Sequence, residues 1–295
     1  MQPRTLAIIQ ARMSASRLPG KVLLDIAGEP MLVRVVERTR RAKTIHEVVV
    51  ATTADASDDP IAAMCAQRGY RFYRGSQHDV LDRYYQAARK FGAEVIVRIT
   101  ADCPLMDPDV VDETVEAFMG REGAGDQGSG TSDPGLAIED NQPLIPFDFA
   151  ANRLPPPWQR TYPIGLDVEV CTFQAITRAW KEADQPHQRE HVMPYLYEMV
   201  RARHFTSLQE AKDVPPGYFR VRLVNHDPDY GHHRWTVDTP EDLELVRRIY
   251  ARFPGRDDFS WLEVLALFES QPELAQINAQ VQHKDYREVD RRREK

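Results

Sequence analysis

Short apolar runs alternate with longer stretches of helical periodicity through the first 118 residues of the chain. The continuous apolar run 6–9 predicts a strand buried on both faces of a parallel sheet, and the runs 47–52, 70–73 and 95–99 predict further strands. The stretches 30–41, 80–91 and 108–118 predict helices, and the Asp-Asp-Pro sequence at 58–60 predicts the capped start of another. Strict alternation of strand and helix requires right-handed crossovers, and it therefore predicts a mostly parallel sheet with helices on both faces.

The pattern becomes less regular after residue 118. Residues 120–135 hold six of the fifteen glycines and show no apolar periodicity, which is typical of a mobile surface loop. Beyond this loop we expect strands at 167–171, 218–223 and 235–237, and helices at 173–183, 189–201 and 240–253. The residues from 278 onward are polar and highly charged, so they predict a frayed tail.

Length and charge limit the class of protein. A chain of 295 residues corresponds to about two domains of roughly 150 residues, or to one large α/β unit. The 38 basic and 45 acidic residues give a net charge of −7, which argues against nucleic-acid binding and against a membrane-surface protein. Every apolar stretch is much shorter than the roughly 20 residues that cross a bilayer, so we expect no membrane insertion.

The cysteines and the N-terminus predict where the protein works. Cys65, Cys103 and Cys171 are odd in number and far apart, so they suggest neither a disulfide framework nor a zinc knuckle. The first residues are too poor in apolar side chains for a signal peptide. Together these features predict a cytoplasmic protein with reduced thiols.

Positive charge is concentrated at the start of this acidic chain. Residues 1–50 contain nine Lys or Arg against four Asp or Glu. Three of these cations, Arg12, Arg17 and Lys21, lie in the segment QARMSASRLPGK at 10–21, directly after the first predicted strand. Open α/β folds bind ligands at the carboxyl ends of their strands. A polyphosphate needs the Arg, Lys, hydroxyl and backbone N–H donors that this segment offers.

Segment 10–21 lacks the two best-known phosphate motifs. A Walker A loop needs Gly and then Ser or Thr at the positions where this chain has Ala15 and Val22, and no G-x-G-x-x-G fingerprint follows the first strand. A solvated basic loop is the alternative interpretation. The position directly after the first buried strand favours a phosphate-binding loop. We call residues 10–21 the phosphate loop.

The run ARMSASRLPGK at 11–21 resembles the signature of the cytidylyltransferases that activate acidic sugars. These include the acylneuraminate and 3-deoxy-manno-octulosonate cytidylyltransferases, and the run is most similar to their spore-coat polysaccharide biosynthesis protein F branch. The similarity extends from about residue 5 to residue 249. It implies an α/β, glycosyltransferase-A-like (Rossmann-like) nucleotidyltransferase fold, CTP as a substrate and Mg²⁺ as a cofactor.

The resemblance also implies roles for individual residues of the segment. Lys21, Arg12 and Arg17 would be catalytic and would hold the triphosphate. The further nucleotide-binding residues of the segment would be Gln10, Ala11, Ser14, Ser16 and Gly20, with Ala11 near the base.

Asp102 is the first candidate metal ligand. It lies in Thr-Ala-Asp-Cys-Pro-Leu, just after the strand predicted at 95–99, and so faces the same crevice as the phosphate loop. Mg²⁺ is held by one or two carboxylates together with substrate phosphates. A turn aspartate that caps the Pro-Leu turn is the alternative. The resemblance favours the metal, because the family has a metal-binding Asp followed closely by Pro at this place.

Asp238 is the second candidate metal ligand. Thr239 as N-cap, Pro240 at the first helical position and Asp242 in a capping-box arrangement are explained by helix initiation alone. Asp238 lies just before this cap and is not explained by it. The resemblance implies a second magnesium carboxylate at Asp238, while Asp242 is expected to be structural.

Two further regions are candidates for the base and the acceptor. Gly75, Ser76 and Arg83 resemble the stretch of the family that contacts the nucleoside. The alternative is an ordinary helix start with Asp79 as cap and an Asp79–Arg83 pair. For acceptor binding the candidates are Arg98, Asp167, Glu169 and His191. Strand alternation puts Asp167 and Glu169 on one face, which suits hydroxyl recognition or a solvated edge equally well.

His187 and His191 also fit the zinc-peptidase letters H-x-x-E-H. No third ligand can be identified, and the family branch resembled here carries an R-E-H-V segment without being a peptidase. We therefore interpret His191 as an acceptor contact. The pair His232-His233 predicts a polar turn.

The predicted reaction is cytidylyl transfer from CTP to an acidic sugar or related acceptor, with release of pyrophosphate. Residues 1–118 would form the nucleotide-binding half, 119–149 a flexible connection, 150–253 the acceptor-binding half of the same domain, and 254–295 a C-terminal helix and charged tail. The resemblance also implies a homodimer. One alternative is a glycosyltransferase that uses 107–109 or 227–229 as a D-x-D metal motif. A non-catalytic nucleotide-binding module is the other.

Overall fold

A computed structural model describes residues 2–121, 145–155, 158, 160–198, 202–205, 217–282 and 287, with only the backbone of 202–205. Most of the glycine-rich loop predicted at 120–135 lies outside these residues.

The main sheet has eight strands in the order β5-β4-β1-β6-β8-β7-β10-β9. Its strands are β1 (Thr5–Gln10), β4 (Glu47–Thr53), β5 (Arg71–Gly75), β6 (Val95–Thr100), β7 (Phe149–Ala151), β8 (Glu169–Thr172), β9 (Ala202–Phe205) and β10 (Phe219–Leu223). A small hairpin pairs β2 (Asp25–Ile26) with β3 (Glu29–Pro30). β8 runs antiparallel to both of its neighbours, and the other pairs in the main sheet are parallel. The mostly parallel α/β sheet predicted from the sequence is confirmed.

Helices cover both faces of this sheet. They are α1 (Met31–Thr39), α2 (Asp59–Gln67), α3 (Val80–Phe91), α4 (Pro108–Phe118), α5 (Phe173–Glu182), α6 (Pro186–His191), α7 (Pro194–Tyr197), α8 (Pro240–Arg252) and α9 (Trp261–Ser270). Short 3-10 turns lie at Lys21–Leu23, Ala56–Asp58 and Pro272–Gln276. None of the helices in the described part of the chain has the length and apolar character needed to cross a membrane.

Strand alternation divides the buried apolar side chains into two cores. In β1, Ala7 and Ile9 pack with α1, α4, α8 and α9 on one face, while Leu6 and Ile8 pack with α3, α5 and α7 on the other. These four side chains are completely buried. A continuous apolar run was expected for this reason, since a strand buried on both faces has no polar side. The double burial fixes β1, and with it the phosphate loop that follows.

Three sequence predictions about elements are wrong. Residues 235–237 are buried but form no strand, and the bridge between Ile164 and Arg234 lies just before them. The helix predicted at 189–201 is divided into α6 and α7, because Val192 has a left-handed φ of 73°. The Asp58 side chain does not cap α2.

The frayed tail predicted from residue 278 is wrong at its start, and residues 283–286 and 288–295 lie outside the described part of the chain. The side chain of Asn278 is buried and hydrogen-bonded to Arg234 and Asp242, so the chain is not frayed from this residue.

Candidate active site

A cleft of about 1020 Å³ opens at the carboxyl ends of β1 and β6. Its lining includes most of the residues predicted from the sequence: Gln10, Ala11, Arg12, Ser16, Arg17, Lys21, Arg83, Arg98, Asp102, Asp167, Glu169, His191 and Asp238. Ser14, Gly20, Gly75 and Ser76 do not line it. The parallel topology explains this convergence, because strands that run in the same direction end at the same edge of the sheet.

Asp58 anchors the start of the phosphate loop. Its Oδ1 accepts a hydrogen bond from the backbone N–H of Met13 at 2.8 Å. Its Oδ2 accepts from the hydroxyls of Thr52 and Thr53, at 3.0 and 2.6 Å, and from the Thr53 N–H. The carboxylate is 1% exposed and joins the loop to the end of β4. Because these partners are backbone and hydroxyl groups on neighbouring elements, this role could not be predicted from a local sequence pattern.

Gly20 closes the same loop. Its N–H donates to the carbonyl of Met13 at 2.8 Å, and its φ of 71° lies in the left-handed region that favours glycine. A Cβ at this position would also lie 3.3 Å from Cε of Met13. Gly20 therefore shapes the loop and delivers Lys21 to the cleft without lining it.

Lys21 joins the two carboxylates predicted as metal ligands. Its Nζ donates to Oδ2 of Asp102 at 2.8 Å, to Oδ1 of Asp238 at 2.9 Å and to the carbonyl of Val237 at 2.7 Å. Burial alone would lower the pKa of Lys21, but Asp102 and Asp238 raise it above its ordinary value. The ammonium is therefore charged at neutral pH, and the alternative of a solvated basic loop does not describe this residue.

Asp238 lies among three cations. Besides Lys21, its carboxylate contacts Arg17 at 2.6 Å and Arg234 at 2.8 Å. Burial alone would raise the pKa of Asp238, but Lys21, Arg17 and Arg234 lower it to about 2. The capping box of Thr239 and Asp242 is present at the start of α8, as expected.

Asp102 and Asp238 offer oxygen donors of the kind that holds Mg²⁺, and in this structure the ammonium of Lys21 lies between them. Asp102 and Asp238 each place one oxygen within 2.9 Å of the same nitrogen atom, so they converge on a single cationic centre. Hard oxygen donors of this kind suit Mg²⁺. The Asp102 side chain is directed to Lys21 and not into a turn cap. Within the described residues, no three His, Cys, Asp or Glu side chains form a metal cluster, so substrate oxygens would complete the coordination.

Arg83 is buried at the wall of the cleft. The side chain is 1% exposed, and Nη1 donates to the carbonyl of Ser76. Burial lowers the pKa of Arg83 to about 10. A Cβ on Gly75 would lie 2.8 Å from Cε1 of Tyr73 and 3.1 Å from Cγ of Arg83. Gly75 thus leaves room for Tyr73 and Arg83.

Asp79 caps α3 as the alternative interpretation expected, with its side chain accepting from the N–H of Asp82 at 2.8 Å. Arg83 contacts Asp79 through the backbone, where its N–H donates to the Asp79 carbonyl at 3.1 Å, and the Asp79 carboxylate has a different ion-pair partner. That carboxylate binds Arg189 instead.

The far side of the cleft contains paired charges. Arg98 binds Glu169 and donates from Nε to Oε1 of Gln10 at 3.2 Å. Burial alone would lower the pKa of Arg98, but Glu169 raises it. Asp167 pairs with Arg160 at 2.6 Å. Both carboxylates line the cleft, so they are not on a solvated sheet edge.

His191 lines the cleft, whereas His187 turns to Glu198. Glu190 between them pairs with Arg12 at 3.9 Å. His187 and Glu190 contact different side chains, and no group of metal-ligating side chains is found among the described residues. The H-x-x-E-H match therefore has no zinc-site geometry.

The two D-x-D alternatives lie outside the cleft. Asp107 caps α4 and accepts from the N–H of Trp261 at 2.7 Å. Asp229 accepts from the N–H of Gly231 at 2.7 Å in a turn. Residues 107–109 therefore form the start of α4, and Asp229 lies in a turn.

Among the cleft-lining residues that sequence reasoning missed are the charged or aromatic side chains of Arg153, Glu190, Tyr197 and Arg287. Arg153 follows β7, which is too short to show a periodicity. Tyr197 ends α7, a four-residue helix. Arg287 belongs to the segment interpreted as a tail, where only its charge was visible.

Comparison with known proteins adds to this geometry. The family model described as cytidylyltransferase matches residues 6–282. Spore coat polysaccharide biosynthesis protein SpsF of Bacillus subtilis is 30% identical over 274 residues, which cover 92% of this chain and 96% of that protein. A 3-deoxy-manno-octulosonate cytidylyltransferase of Anaeromyxobacter dehalogenans is 30% identical over 259 residues, with 83% and 96% covered.

A solved structure shows the same architecture. A cytidylyltransferase from Leptospira borgpetersenii superposes with a TM-score of 0.74 at 27% identity, covering 96% of this chain and 100% of that one.

Proposed function

Since this chain belongs to the cytidylyltransferase family, we propose that it transfers CMP from CTP to an acidic sugar in surface polysaccharide or glycoconjugate synthesis. The observation that carries the proposal is the ammonium of Lys21 held between Asp102 and Asp238 in a cleft that also contains Arg12 and Arg17. The relatives named for spore coat polysaccharide and for 3-deoxy-manno-octulosonate support a sugar acceptor.

The reaction requires positioning and charge neutralisation more than a protein nucleophile. An acceptor oxygen attacks the α-phosphorus of CTP, the bond to the bridging oxygen of the β-phosphate breaks, and pyrophosphate leaves. Arg12, Arg17 and Lys21 would hold the triphosphate and stabilise the charge that grows on the leaving group. Gln10, Ala11 and Ser16 would contact the nucleotide along the cleft. Ser14 and Gly20 would act by shaping the loop.

Mg²⁺ is proposed as the cofactor, held by Asp102 and Asp238 together with substrate oxygens. When bound, it would supply Lewis-acid polarisation of the phosphate oxygens. Lys21 already bridges both carboxylates before any substrate arrives, so the chain itself holds the two carboxylates close together.

The acceptor would bind on the side of the cleft formed by β6 and β8. Arg98 is suited to an acceptor carboxylate, and Asp167, Glu169 and His191 are suited to its hydroxyl groups. Because Arg98–Glu169 and Asp167–Arg160 are already paired, these side chains are preorganised and lose little freedom on binding.

Pyrophosphate release tests the proposal directly. The purified chain is incubated with CTP, Mg²⁺ and a panel of acidic sugars, with their neutral counterparts as controls. We expect release only with CTP and an acidic sugar. Sugar transfer from a nucleotide sugar without pyrophosphate would instead support the glycosyltransferase alternative, and CTP binding without turnover on any acceptor would support the binding module.

Asp102→Ala should reduce turnover by about 10²- to 10³-fold, since it removes a group that orients charge at the reacting phosphate. The matched control is Glu241→Gln, an exposed carboxylate in the first turn of α8. Turnover of Asp102→Ala equal to that of the control would contradict the metal assignment.

A further inference from the structure

The chain returns to the cleft after α9 and the 3-10 turn that follows it. We call residues 278–282 together with Arg287 the C-terminal segment. Asn278 is 6% exposed, and its Nδ2 donates to the carbonyl of Arg234 at 3.0 Å and to Oδ1 of Asp242 at 2.9 Å. A polar side chain buried in this way fixes the backbone around it, because losing either partner would leave a buried donor unsatisfied.

Asn278 is the start of a network that ends at the cleft. Oδ2 of Asp242 accepts from the N–H groups of Asp238 and Thr239, at 2.9 and 3.1 Å. Arg234 binds Asp242 through Nε at 3.0 Å and Asp238 through Nη2 at 2.8 Å. The position of the Asp238 carboxylate therefore depends on partners that Asn278 holds.

A second contact reaches the phosphate loop itself. Nη1 of Arg17 donates to the carbonyl of Gln282 at 3.1 Å, while its Nη2 contacts Asp238 at 2.6 Å. Five residues further on, Arg287 lines the same cleft as Arg17 and Lys21. The family model ends at residue 282, so Arg287 lies beyond the part that it matches.

We propose that the C-terminal segment is part of the nucleotide site, where it positions Arg17 and Asp238 and supplies Arg287 as a further cation for the polyphosphate of CTP. The inference rests on the proposed function, which supplies CTP as the ligand. The polyphosphate is the favoured partner because the segment meets the cleft at Arg17, on the side of the phosphate loop. Guanidinium groups bind phosphate oxygens through paired N–H donors.

The test compares Arg287→Ala, Arg287→Lys and Arg248→Ala in steady-state assays that vary CTP. Arg248 is the matched control, since it is an exposed arginine on α8 whose ion pair is with Glu244 of the same helix. We expect Arg287→Ala to raise the KM for CTP by about three- to tenfold with a smaller change in kcat, as for one exposed charge contact. Arg287→Lys should recover part of the loss, and Arg248→Ala should match the wild type.

Ionic strength separates a charge contact from a structural effect. Arg287 is exposed, so salt screens its contribution. The ratio of KM values between Arg287→Ala and wild type should therefore shrink between low and high salt. A chain that ends after Gln282 should show the same raised KM and the same salt dependence.

Wild-type turnover distinguishes the two proposals. If the wild type releases no pyrophosphate from CTP, the proposed function fails. If the wild type is active but Arg287→Ala and the chain ending after Gln282 both keep its KM for CTP, the function stands and the role of the C-terminal segment is overturned. An effect confined to the KM of the acceptor would also overturn it, because Arg287 would then serve the other substrate.

Discussion

At the scale of single residues, Lys21 occupies the point where two carboxylates meet. Its three hydrogen bonds use all three protons of the ammonium, and the side chain is nearly buried. An internal cation at this position keeps Asp102 and Asp238 from repelling each other in the absence of ligands. It also places a positive charge beside the site where triphosphate would bind.

Lys21→Ala should therefore change both stability and metal binding. Two carboxylates lose a shared cation, so we expect the free energy of unfolding to fall by about 1–3 kcal/mol. Mg²⁺ alone should raise the melting temperature of the variant more than that of wild type, because the freed oxygens accept the ion. The control is Lys43→Ala, an exposed lysine. Equal Mg²⁺ shifts in all three proteins would contradict the expectation that loss of Lys21 frees these carboxylates for the ion.

At the scale of elements, the junction between β4 and α2 holds the phosphate loop. The sequence Asp-Asp-Pro predicts a helix cap there. In the structure, the Asp58 side chain instead binds the phosphate loop, which follows the neighbouring strand β1. A cap is a local pattern that sequence can show. A contact between residues 13 and 58 exists only once β1 and β4 pair.

Asp58→Asn tests this junction. One amide oxygen replaces two carboxylate oxygens that accept four hydrogen bonds, so we expect a loss of about 2–3 kcal/mol in the free energy of unfolding. The KM for CTP should rise, because residues 12–17 lose their anchor. Urea unfolding and steady-state kinetics measure the two effects. Asp59→Asn, whose side chain is 61% exposed, is the matched control; if it equals Asp58→Asn in both assays, the anchor role is wrong.

Most elements of the first half could be predicted, because their apolar periodicity is a local property of the sequence. α3 and α4 have the bounds predicted from the sequence, 80–91 and 108–118. Failures occur where tertiary contacts decide the backbone. The strand β7 has three residues, and the segment 235–237 is buried without a strand partner, so apolar character alone could not classify either of them.

Only part of the candidate site could be predicted from the sequence. Strand ends located Lys21 and Asp102, since each follows a recognisable buried strand. The resemblance, more than the spacing, singled out Asp238. Arg153 and Arg287 were missed because their positions depend on pairings distant in sequence.

At the scale of the whole molecule, one sheet carries both predicted halves. β6 of the first half pairs with β8 of the second, and the two cores lie on opposite faces of the joined sheet. The C-terminal helices α8 and α9 pack on the core of α1 and α4. We therefore expect the chain to unfold cooperatively, so that a change in one buried group alters the free energy of global unfolding.

Acid stability is one such global property. Burial lowers the pKa of His233, which packs against Trp235 and Phe268, to about 4. Between that value and the ordinary value of 6.5, the unfolded chain binds a proton that the folded chain does not. The contribution of neutral His233 to folding is thus complete above about pH 6.5 and decreases as the pH falls toward 4.

His233→Gln should flatten this dependence. We expect the fall in unfolding free energy between pH 7.5 and 4.5 to be smaller in the variant by on the order of 1–2 kcal/mol, measured from urea midpoints at several pH values. His232→Gln is the control, since His232 is exposed and adjacent. A slope unchanged by His233→Gln would assign the acid sensitivity to other groups.

The bond between Lys21 and Val237 has a consequence for how the protein is made. The two residues are 216 positions apart, and Asp238 and Asn278 come still later in the chain. A ribosome releases the phosphate loop early and the residues that complete the cleft near the end of translation. A nascent chain that stops before residue 238 contains the cationic loop without the second carboxylate and without α8. Catalytic competence therefore arises only in nearly finished molecules, and prematurely terminated products carry the phosphate loop without a working centre.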